Sequence, residues 1–264
     1  MDCYGLIGFP LTHSFSAQFF TDKFKHEGID AKYLNFEIED IDEITKVILS
    51  NQFLRGLNVT IPYKEKVIPF LHKLSPVAEK IGAVNTIKID RVKSDSHSYE
   101  VTAYNYELTS HKYELTGYNT DYIGFKDSLI PLIYPDVQKK ALILGTGGAS
   151  KAVSQALIDM SIEVTYVSRS ARDGQLSYND LTPDIISSHK LIVNTTPLGT
   201  YPNVDNYPDL PYSLLTKDHL LYDLVYNPSE TLFLSKGKER GAIIKNGREM
   251  LELQALAAWE IYGI

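Results

Sequence analysis

The stretch that predicts the fold is KKALILGTGGASKAVSQA, residues 139–156. Four apolar residues at 141–144 run directly into Gly145-Thr146-Gly147-Gly148, and apolar residues then recur at helical spacing from Ala149. This pattern predicts a buried strand, a glycine turn and an amphipathic helix. The N–H groups and the dipole at the start of such a helix favour a bound phosphate. Gly147 and Gly148 have no Cβ, so a pyrophosphate can approach the backbone closely, although glycines that serve only the turn are the alternative.

Length and composition narrow the class of protein. The 264 residues suffice for one large or two small domains, with 44% hydrophobic and 22% charged residues, which is ordinary for soluble proteins. The net charge of −7 gives no electrostatic support for binding nucleic acid. Cys3 is the only cysteine, so we expect no disulfide and no metal site. With no long apolar run and no signal-peptide pattern, we expect a cytoplasmic protein that does not bind membranes.

Strand and helix patterns alternate before the glycine turn. Strands are predicted at 4–8, 31–37, 56–61 and 82–89, with helices after Ser14, Asp40, Pro62 and Ser75. Such alternation indicates an α/β domain with a mostly parallel sheet. Residues 88–116 contain no Gly or Pro and partly alternate in polarity, which predicts an antiparallel hairpin with its tip near residues 95–96.

A second domain is predicted around the glycine turn. A helix from Thr120 or Asp121 to about residue 133 leads into it, and strands are predicted at 162–167, 191–194, 220–225 and 242–244. A strongly apolar helix then starts at Gly247. We place the first domain at 1–122 together with about 248–264, and the dinucleotide-binding domain at 123–247.

The strand at 141–144, the glycine turn with its helix and the strand at 162–167 form a βαβ unit. The end of its second strand indicates which dinucleotide is bound. NAD enzymes place an acidic residue there, whereas this strand ends in Ser168-Arg169-Ser170. A guanidinium pairs with a 2′-phosphate through charge-assisted hydrogen bonds. The sequence therefore favours NADP over NAD, with an ordinary surface arginine as the alternative.

Two charged residues are candidates for acid–base chemistry. Hydride transfer to a ketone requires a proton donor for the developing alkoxide, and a lysine can supply it. Lys64 follows a predicted strand, and Asp121 lies at a loop–helix junction. Spacing alone does not exclude a surface lysine at this position.

Six blocks of sequence stand out along the chain: GFPLTHSFSA (8–17), NVTIPYK (58–64), GAVNT (82–86), GYNTD (117–121), GTGGAS (145–150) and NGREMLELQA (246–255). Together they resemble the shikimate dehydrogenase family, in that family's order and over nearly the whole chain. The resemblance implies two domains, an α/β substrate domain and a Rossmann-type NADP domain, with the last helix returning to the substrate domain and the active site in the cleft between them. It also implies reversible, NADPH-dependent reduction of 3-dehydroshikimate to shikimate in aromatic amino-acid and chorismate biosynthesis, by a monomer or a homodimer.

The resemblance also implies roles for individual residues. Lys64 would donate the proton and Asp121 would orient it, while Ser14 and Ser16 would bind the substrate carboxylate. The other substrate-binding residues implied are Thr60, Asn85, Tyr226 and Gln254. On the cofactor side the implied residues are Gly145, Gly147, Gly148, Ala149, Ser168, Arg169, Thr196, Leu224 and Gly247.

The chain departs from the family pattern in three places, and alternatives remain. Ser168 replaces an asparagine, and Asp173 stands where a second basic residue is expected. The first block lacks a glycine and a proline, and the 88–116 segment is longer than expected. A quinate/shikimate dehydrogenase that also uses NAD, a methylene-tetrahydrofolate dehydrogenase and a catalytically inactive binding protein are the rival interpretations. The presence of both Lys64 and Asp121 argues against a catalytically inactive binding protein, because such a protein does not need this pair.

Overall fold

The chain forms two compact units, each built on its own sheet. The computed structural model describes residues 1–11, 15–91, 113–134 and 136–264. Unit 1 comprises Met1–Thr120 and Ala255–Ile264, and unit 2 comprises Asp121–Gln254. The domain boundaries expected from the sequence lie near residues 122 and 247. In the structure, unit 2 begins at Asp121 and ends at Gln254.

Unit 1 contains a six-stranded mixed sheet in the order β2-β1-β3-β5-β6-β4. Three strand pairs are parallel (β1–β2, β1–β3 and β4–β6), and β5 runs antiparallel to both β3 and β6. The sheet is therefore mostly parallel, as predicted. Its strands are β1 (Asp2–Gly8), β2 (Ala31–Glu37), β3 (Leu54–Val59), β4 (Lys73–Leu74), β5 (Thr86–Arg91) and β6 (Tyr113–Tyr118).

Helices of unit 1 bury the faces that the sequence pattern predicted. In α1 (Phe15–Glu27) the buried residues are Phe20 and Phe24. Asp40 caps a short 3-10 turn that leads into α2 (Ile44–Ser50), and Ser75 caps α3 (Pro76–Ile81) through the N–H of Ala78. The carboxyl-terminal part of the last helix packs here as well, with Ala255, Ala258, Trp259 and Tyr262 joining Phe20 and Phe24 in one apolar cluster.

The helix predicted after Pro62 does not form, and this prediction was wrong. The segment folds into turns followed by a 3-10 turn at Ile68–Phe70. Tertiary contacts account for this. The Tyr63 hydroxyl donates to the Ile38 carbonyl oxygen at 2.6 Å, and the Lys64 carbonyl accepts from the Val84 N–H at 2.7 Å. These bonds outweigh a weak local helix preference.

Unit 2 contains a five-stranded parallel sheet in the order β11-β10-β9-β7-β8. Two apolar clusters cover its two faces, and the central strands are almost fully buried. The strands are β7 (Lys140–Leu144), β8 (Glu163–Val167), β9 (Leu191–Asn194), β10 (Leu220–Asp223) and β11 (Ile243–Lys245). The helices that lie in it wholly or in part are α4 (Thr120–Leu129), α5 (Gly148–Asp159), α6 (Pro183–Ser188), α7 (Leu232–Lys238) and α8 (Arg248–Tyr262), and α8 continues into unit 1.

The predicted hairpin is described only at its base. β5 and β6 pair antiparallel with Arg91 opposite Tyr113, as expected for its two arms. The strand predicted at 82–89 begins later, at Thr86. The tip near residues 95–96 lies outside the described residues. Within the described ranges, no helix is long and apolar enough to cross a membrane.

Candidate active site

The glycine turn of unit 2 lies between β7 and α5, where the sequence predicted it. Gly145 has φ of +102°, and a Cβ there would come within 2.9 Å of Thr196 Cγ2, so this position requires glycine. At Gly147 and Gly148 a Cβ would meet no atom within 4 Å, because both face open space. Gly147 is the N-cap residue of α5, and Ala149 follows in the first turn. The first N–H groups of a helix have no partner within it, so this edge fits a phosphate group.

The loops after β9, β10 and β11 lie at the same edge of the sheet as the glycine turn, because all strands are parallel. Thr195 donates its N–H and its hydroxyl to the Leu144 carbonyl oxygen at 3.0 and 2.7 Å. A Cβ on Gly247 would lie 2.1 Å from the Leu224 carbonyl oxygen, so these two segments are in direct contact. The predicted cofactor residues Thr196, Leu224 and Gly247 therefore share one edge with the glycine turn.

Ser168 and Arg169 follow β8 at this same edge. The Ser168 N–H donates to the Leu176 carbonyl oxygen at 2.9 Å, and its hydroxyl accepts from the Ser170 N–H at 3.2 Å. Arg169 is exposed, and its charge opposes the rise that burial causes in the pKa of Tyr178. Asp173 is exposed on the same loop. An exposed guanidinium at this edge of the sheet is a group that can pair with a phosphate through charge-assisted hydrogen bonds.

A buried polar network in unit 1 joins two of the predicted substrate residues, Ser16 and Asn85. The Ser16 hydroxyl bonds to the phenol of Tyr33, which donates to Asn58 Oδ1 at 2.8 Å. Asn58 Nδ2 donates to Thr86 Oγ1 at 3.2 Å, and that hydroxyl donates to Asn85 Oδ1 at 3.2 Å. Burial raises the pKa of Tyr33 well above its ordinary value, so the phenol stays protonated.

The network ends at the start of α4. Asn85, which is 3% exposed, accepts at Oδ1 from the Thr120 N–H at 2.7 Å and donates from Nδ2 to Thr120 Oγ1 at 3.0 Å. Thr120 is followed directly by Asp121. Asn85 therefore fixes the backbone that leads into Asp121, in addition to any contact with substrate.

Thr60 and Lys64 lie in the turn segment after β3. The Thr60 N–H donates to the Ile7 carbonyl oxygen at 2.9 Å, and the Thr60 carbonyl accepts from the Tyr63 N–H at 2.9 Å. Lys64 is half-buried and held through its carbonyl by Val84. The segment is thus anchored on both sides of the lysine.

Asp121 and Gln254 lie on two helices of unit 2 that pack closely. Gly124, one turn after Asp121, allows this approach, because a Cβ there would be 2.4 Å from the Met250 carbonyl oxygen and 3.0 Å from Gln254 Cβ. Both predicted residues are 8% exposed, and Gln254 Nε2 donates to the Leu251 carbonyl oxygen at 3.0 Å. Tyr226, in the loop after β10, is 41% exposed. Ser14 lies outside the described residues.

Sequence reasoning missed the polar residues that support the site. Tyr33, Asn58 and Thr86 in unit 1 and Asn194 and Asp223 in unit 2 are all buried and hydrogen-bonded. A signal was present, since Asn58 and Asp223 each interrupt an apolar strand pattern, and buried polar groups require partners. In the described part of the chain, no group of three or more His, Cys, Asp and Glu residues is arranged to hold a metal ion.

The parallel sheet, the glycine turn and the loops at its carboxyl edge define a dinucleotide-binding α/β protein of Rossmann type. Comparisons with known proteins identify the particular family. A model described as "Shikimate dehydrogenase substrate binding domain" matches residues 6–87. The shikimate dehydrogenase (NADP(+)) of Carboxydothermus hydrogenoformans is 37% identical over 97% of this chain and 89% of its own length.

Comparison with solved structures identifies the same fold and the same family. The crystal structure of shikimate dehydrogenase from Aquifex aeolicus matches with a TM-score of 0.80 and 34% identity, covering 99% of this chain and 92% of that one. The quinate dehydrogenase from Corynebacterium glutamicum in complex with NAD matches with a TM-score of 0.82 and 25% identity, covering 100% and 94%. The chain belongs to the shikimate dehydrogenase family.

Proposed function

We propose that this protein catalyses the reversible, NADPH-dependent reduction of 3-dehydroshikimate to shikimate. The observation that carries the proposal is the 37% identity along 97% of the chain to a relative named shikimate dehydrogenase (NADP(+)). The geometry supports it, because unit 2 presents a phosphate-binding edge and unit 1 presents hydroxyl, amide and lysine groups on anchored segments.

The substrate residues suit a small polyhydroxylated acid. Ser14 and Ser16 would bind its carboxylate, and Asn85 and Gln254 would hold hydroxyl groups. Thr60 and Tyr226 would be further substrate-binding residues. A site made of such partners discriminates strongly against an analogue that lacks one hydroxyl, because the unused polar group is left without its bond. The buried network behind Ser16 and Asn85 supports this assignment, since it limits the freedom of both side chains.

Lys64 is proposed as the proton donor and Asp121 as the residue that orients it. NADPH, when bound, supplies the hydride. As negative charge develops on the carbonyl oxygen, the Lys64 ammonium delivers a proton to that oxygen, and in the reverse direction the neutral amine accepts it. In this proposal Asp121 would orient the lysine and bind a substrate hydroxyl, which favours a productive geometry.

NADP is proposed as the cofactor because of Arg169. The guanidinium follows the second strand of the βαβ unit, where an acidic residue would repel a 2′-phosphate. The remaining cofactor contacts would come from the glycine turn and from the loops that carry Thr196, Leu224 and Gly247. The enzyme would act as a monomer or a homodimer in the cytoplasm.

A second candidate is a quinate/shikimate dehydrogenase with relaxed use of NAD and NADP. Asp173 favours it, because this acidic residue stands where the family pattern has a second basic one. The similarity in fold to a quinate dehydrogenase in complex with NAD points in the same direction. Arg169 argues against it.

The experiment that tests the proposal is a product analysis of the purified protein. Shikimate and NADP+ should yield 3-dehydroshikimate and NADPH in equal amounts, identified by mass spectrometry and by absorbance of the reduced cofactor. Binding of both ligands with no product would support an inactive binding protein instead. No binding and no product would contradict the proposal.

A further inference from the structure

Asp223 is a buried carboxylate at the carboxyl end of β10, with an exposed fraction of 0%. Three donors converge on it. Its Oδ1 accepts from Asn194 Nδ2 at 2.9 Å and from the Val225 N–H at 3.0 Å, and its Oδ2 accepts from the Thr231 hydroxyl at 2.5 Å. Burying a carboxylate is costly unless such bonds compensate for the lost water, so the site must be built around this group.

The first partner connects Asp223 to the glycine turn. While Asn194 Nδ2 bonds to Asp223, Asn194 Oδ1 accepts from both the N–H and the hydroxyl of Thr196, at 3.1 and 2.6 Å. Thr195, which lies between Asn194 and Thr196 in the sequence, donates to the Leu144 carbonyl oxygen at the end of β7. The loop after β9 is thus held between Asp223 on one side and the glycine turn on the other.

The second partner fixes the loop after β10. The Val225 N–H donates to Asp223, and the Val225 carbonyl oxygen accepts from the Gly247 N–H at 3.1 Å. Leu224, between Asp223 and Val225, donates its N–H to the Asn194 carbonyl oxygen at 3.0 Å. The third partner, Thr231, caps the start of α7 through the Leu234 N–H. One carboxylate therefore joins the loops after β9 and β10, the Gly247 segment and a helix terminus.

Strand order indicates which half of a dinucleotide these loops meet. The sheet order is β11-β10-β9-β7-β8, so Arg169, after β8, lies on one side of the glycine turn and the loops after β9 and β10 lie on the other. With the pyrophosphate at the turn and the 2′-phosphate at Arg169, the nicotinamide half must extend over β9 and β10.

The residue type suits this role. A carboxylate has enough lone pairs to accept three hydrogen bonds, whereas an asparagine offers only one acceptor oxygen and an alanine none. Burial raises the pKa of Asp223 to about 6, so near neutral pH the group is mostly the ionised acceptor that its three donors require.

We propose that Asp223 is a positioning residue for the cofactor site: its carboxylate holds the loops after β9 and β10 in the arrangement that receives the nicotinamide half of NADP. The inference rests on the proposed function, because it takes NADP as the bound dinucleotide. Asp223 acts through Asn194, Val225 and Thr231 and does not itself contact the cofactor.

The test compares four variants of the full chain at a temperature where circular dichroism finds each one folded. Asp223→Ala removes every acceptor, and Asp223→Asn restores one acceptor oxygen. Asn194→Ala removes the bonds that join Asp223 to Thr196 and leaves the bonds from Val225 and Thr231 to Asp223 in place. Tyr222→Phe is the matched control, because it removes a buried hydrogen bond from the same strand, to Ser128 at 2.6 Å, without touching the loops. The readouts are the NADP+ dissociation constant, measured by titration without substrate, and the KM for NADP+ and for shikimate.

We expect Asp223→Ala to raise the NADP+ dissociation constant and KM roughly tenfold or more, with the KM for shikimate within about twofold of the wild type. Asp223→Asn should recover only part of the loss, because its single acceptor oxygen cannot serve all three donors. Asn194→Ala should weaken NADP+ binding, which keeps the test decisive even if Asp223→Ala does not fold. Tyr222→Phe should lower stability and leave NADP+ binding unchanged.

Two results would overturn the inference: NADP+ binding unaffected by Asp223→Ala and Asn194→Ala, or Tyr222→Phe weakening it as much as they do. A wild-type protein that binds no NADP+ would contradict the proposed function itself, which separates the two failures.

Discussion

Lys64 is the residue on which the proposed chemistry depends. Its backbone is fixed by the bond from Val84 to its carbonyl oxygen, and the preceding residue, Tyr63, is buried and bonded to Ile38. A half-buried lysine on such a segment has a defined position, whereas Lys66, two residues further on, is exposed to solvent. This difference makes Lys66 a suitable control.

Lys64→Ala should lower kcat by several orders of magnitude and change shikimate binding much less. The reason is that a proton donor acts mainly in the transition state. Steady-state kinetics with NADP+ and shikimate measure both parameters, and Lys66→Ala should leave both near wild-type values. An increased KM with an unchanged kcat would make Lys64 a binding residue and contradict its assigned role.

Asp223 should make stability depend on pH in a specific direction. Burial raises its pKa from 3.8 to about 6 in the folded protein, so the folded state binds this proton more tightly than the unfolded state does. The raised pKa of Asp223 therefore adds to the free energy of unfolding at low pH. This contribution is complete below about pH 4 and is lost as the pH rises through about 6, a change of roughly 3 kcal/mol.

Urea unfolding of the wild type and Asp223→Asn at several pH values between about 4 and 7 measures this contribution. The stability of the wild type relative to the variant should fall across that interval, because asparagine does not titrate. Parallel stability profiles for the two proteins would show that the pKa of Asp223 is not raised.

At the scale of elements, the βαβ unit around the glycine turn was the most predictable part of the chain. β7 and β8 begin within one residue of the predicted positions and end where predicted, and α5 begins at the second glycine of the pair. Hydrophobic periodicity and glycine turns are local signals, which is why this unit was predictable. The segment after Pro62 was not predictable in this way. Its conformation depends on bonds to Ile38 and Val84, which are distant in sequence.

Two glycine substitutions should separate the structural role of the turn from its binding role. Gly147 has φ of −79° and open space at the Cβ position, so alanine fits there without strain. The entropy gained by removing glycine and the poorer helix cap oppose each other, so Gly147→Ala should change stability by less than about 1 kcal/mol. The added methyl group would occupy the approach to the helix N-terminus, and we expect roughly tenfold weaker NADP+ binding.

Gly145→Ala is the matched comparison, measured by thermal unfolding and NADP+ titration. Gly145 has φ of +102°, and an added Cβ would lie 2.9 Å from Thr196 Cγ2. We therefore expect a loss of about 1–3 kcal/mol of stability. If Gly147→Ala binds NADP+ as the wild type does, the phosphate does not lie at this turn.

At the scale of the whole molecule, the two α/β units and the return of the last helix to unit 1 were predictable, the latter only through the family resemblance. Candidate site residues were predicted wherever a motif carried them, and their roles stay predictions. Tyr33, Asn58, Asn194 and Asp223 were not identified, because their roles depend on side-chain hydrogen bonds between strands that are far apart in sequence. The sequence showed only that polar residues interrupt apolar strands.

The most direct measurement is kcat/KM of the purified protein for shikimate and for quinate, each with NADP+ and with NAD+. We predict that shikimate with NADP+ is preferred by orders of magnitude over the other three pairs, because Arg169 is at the cofactor edge and the polar site suits shikimate. Comparable efficiency with quinate or NAD+ would contradict this account and would make Asp173 the residue that relaxes specificity.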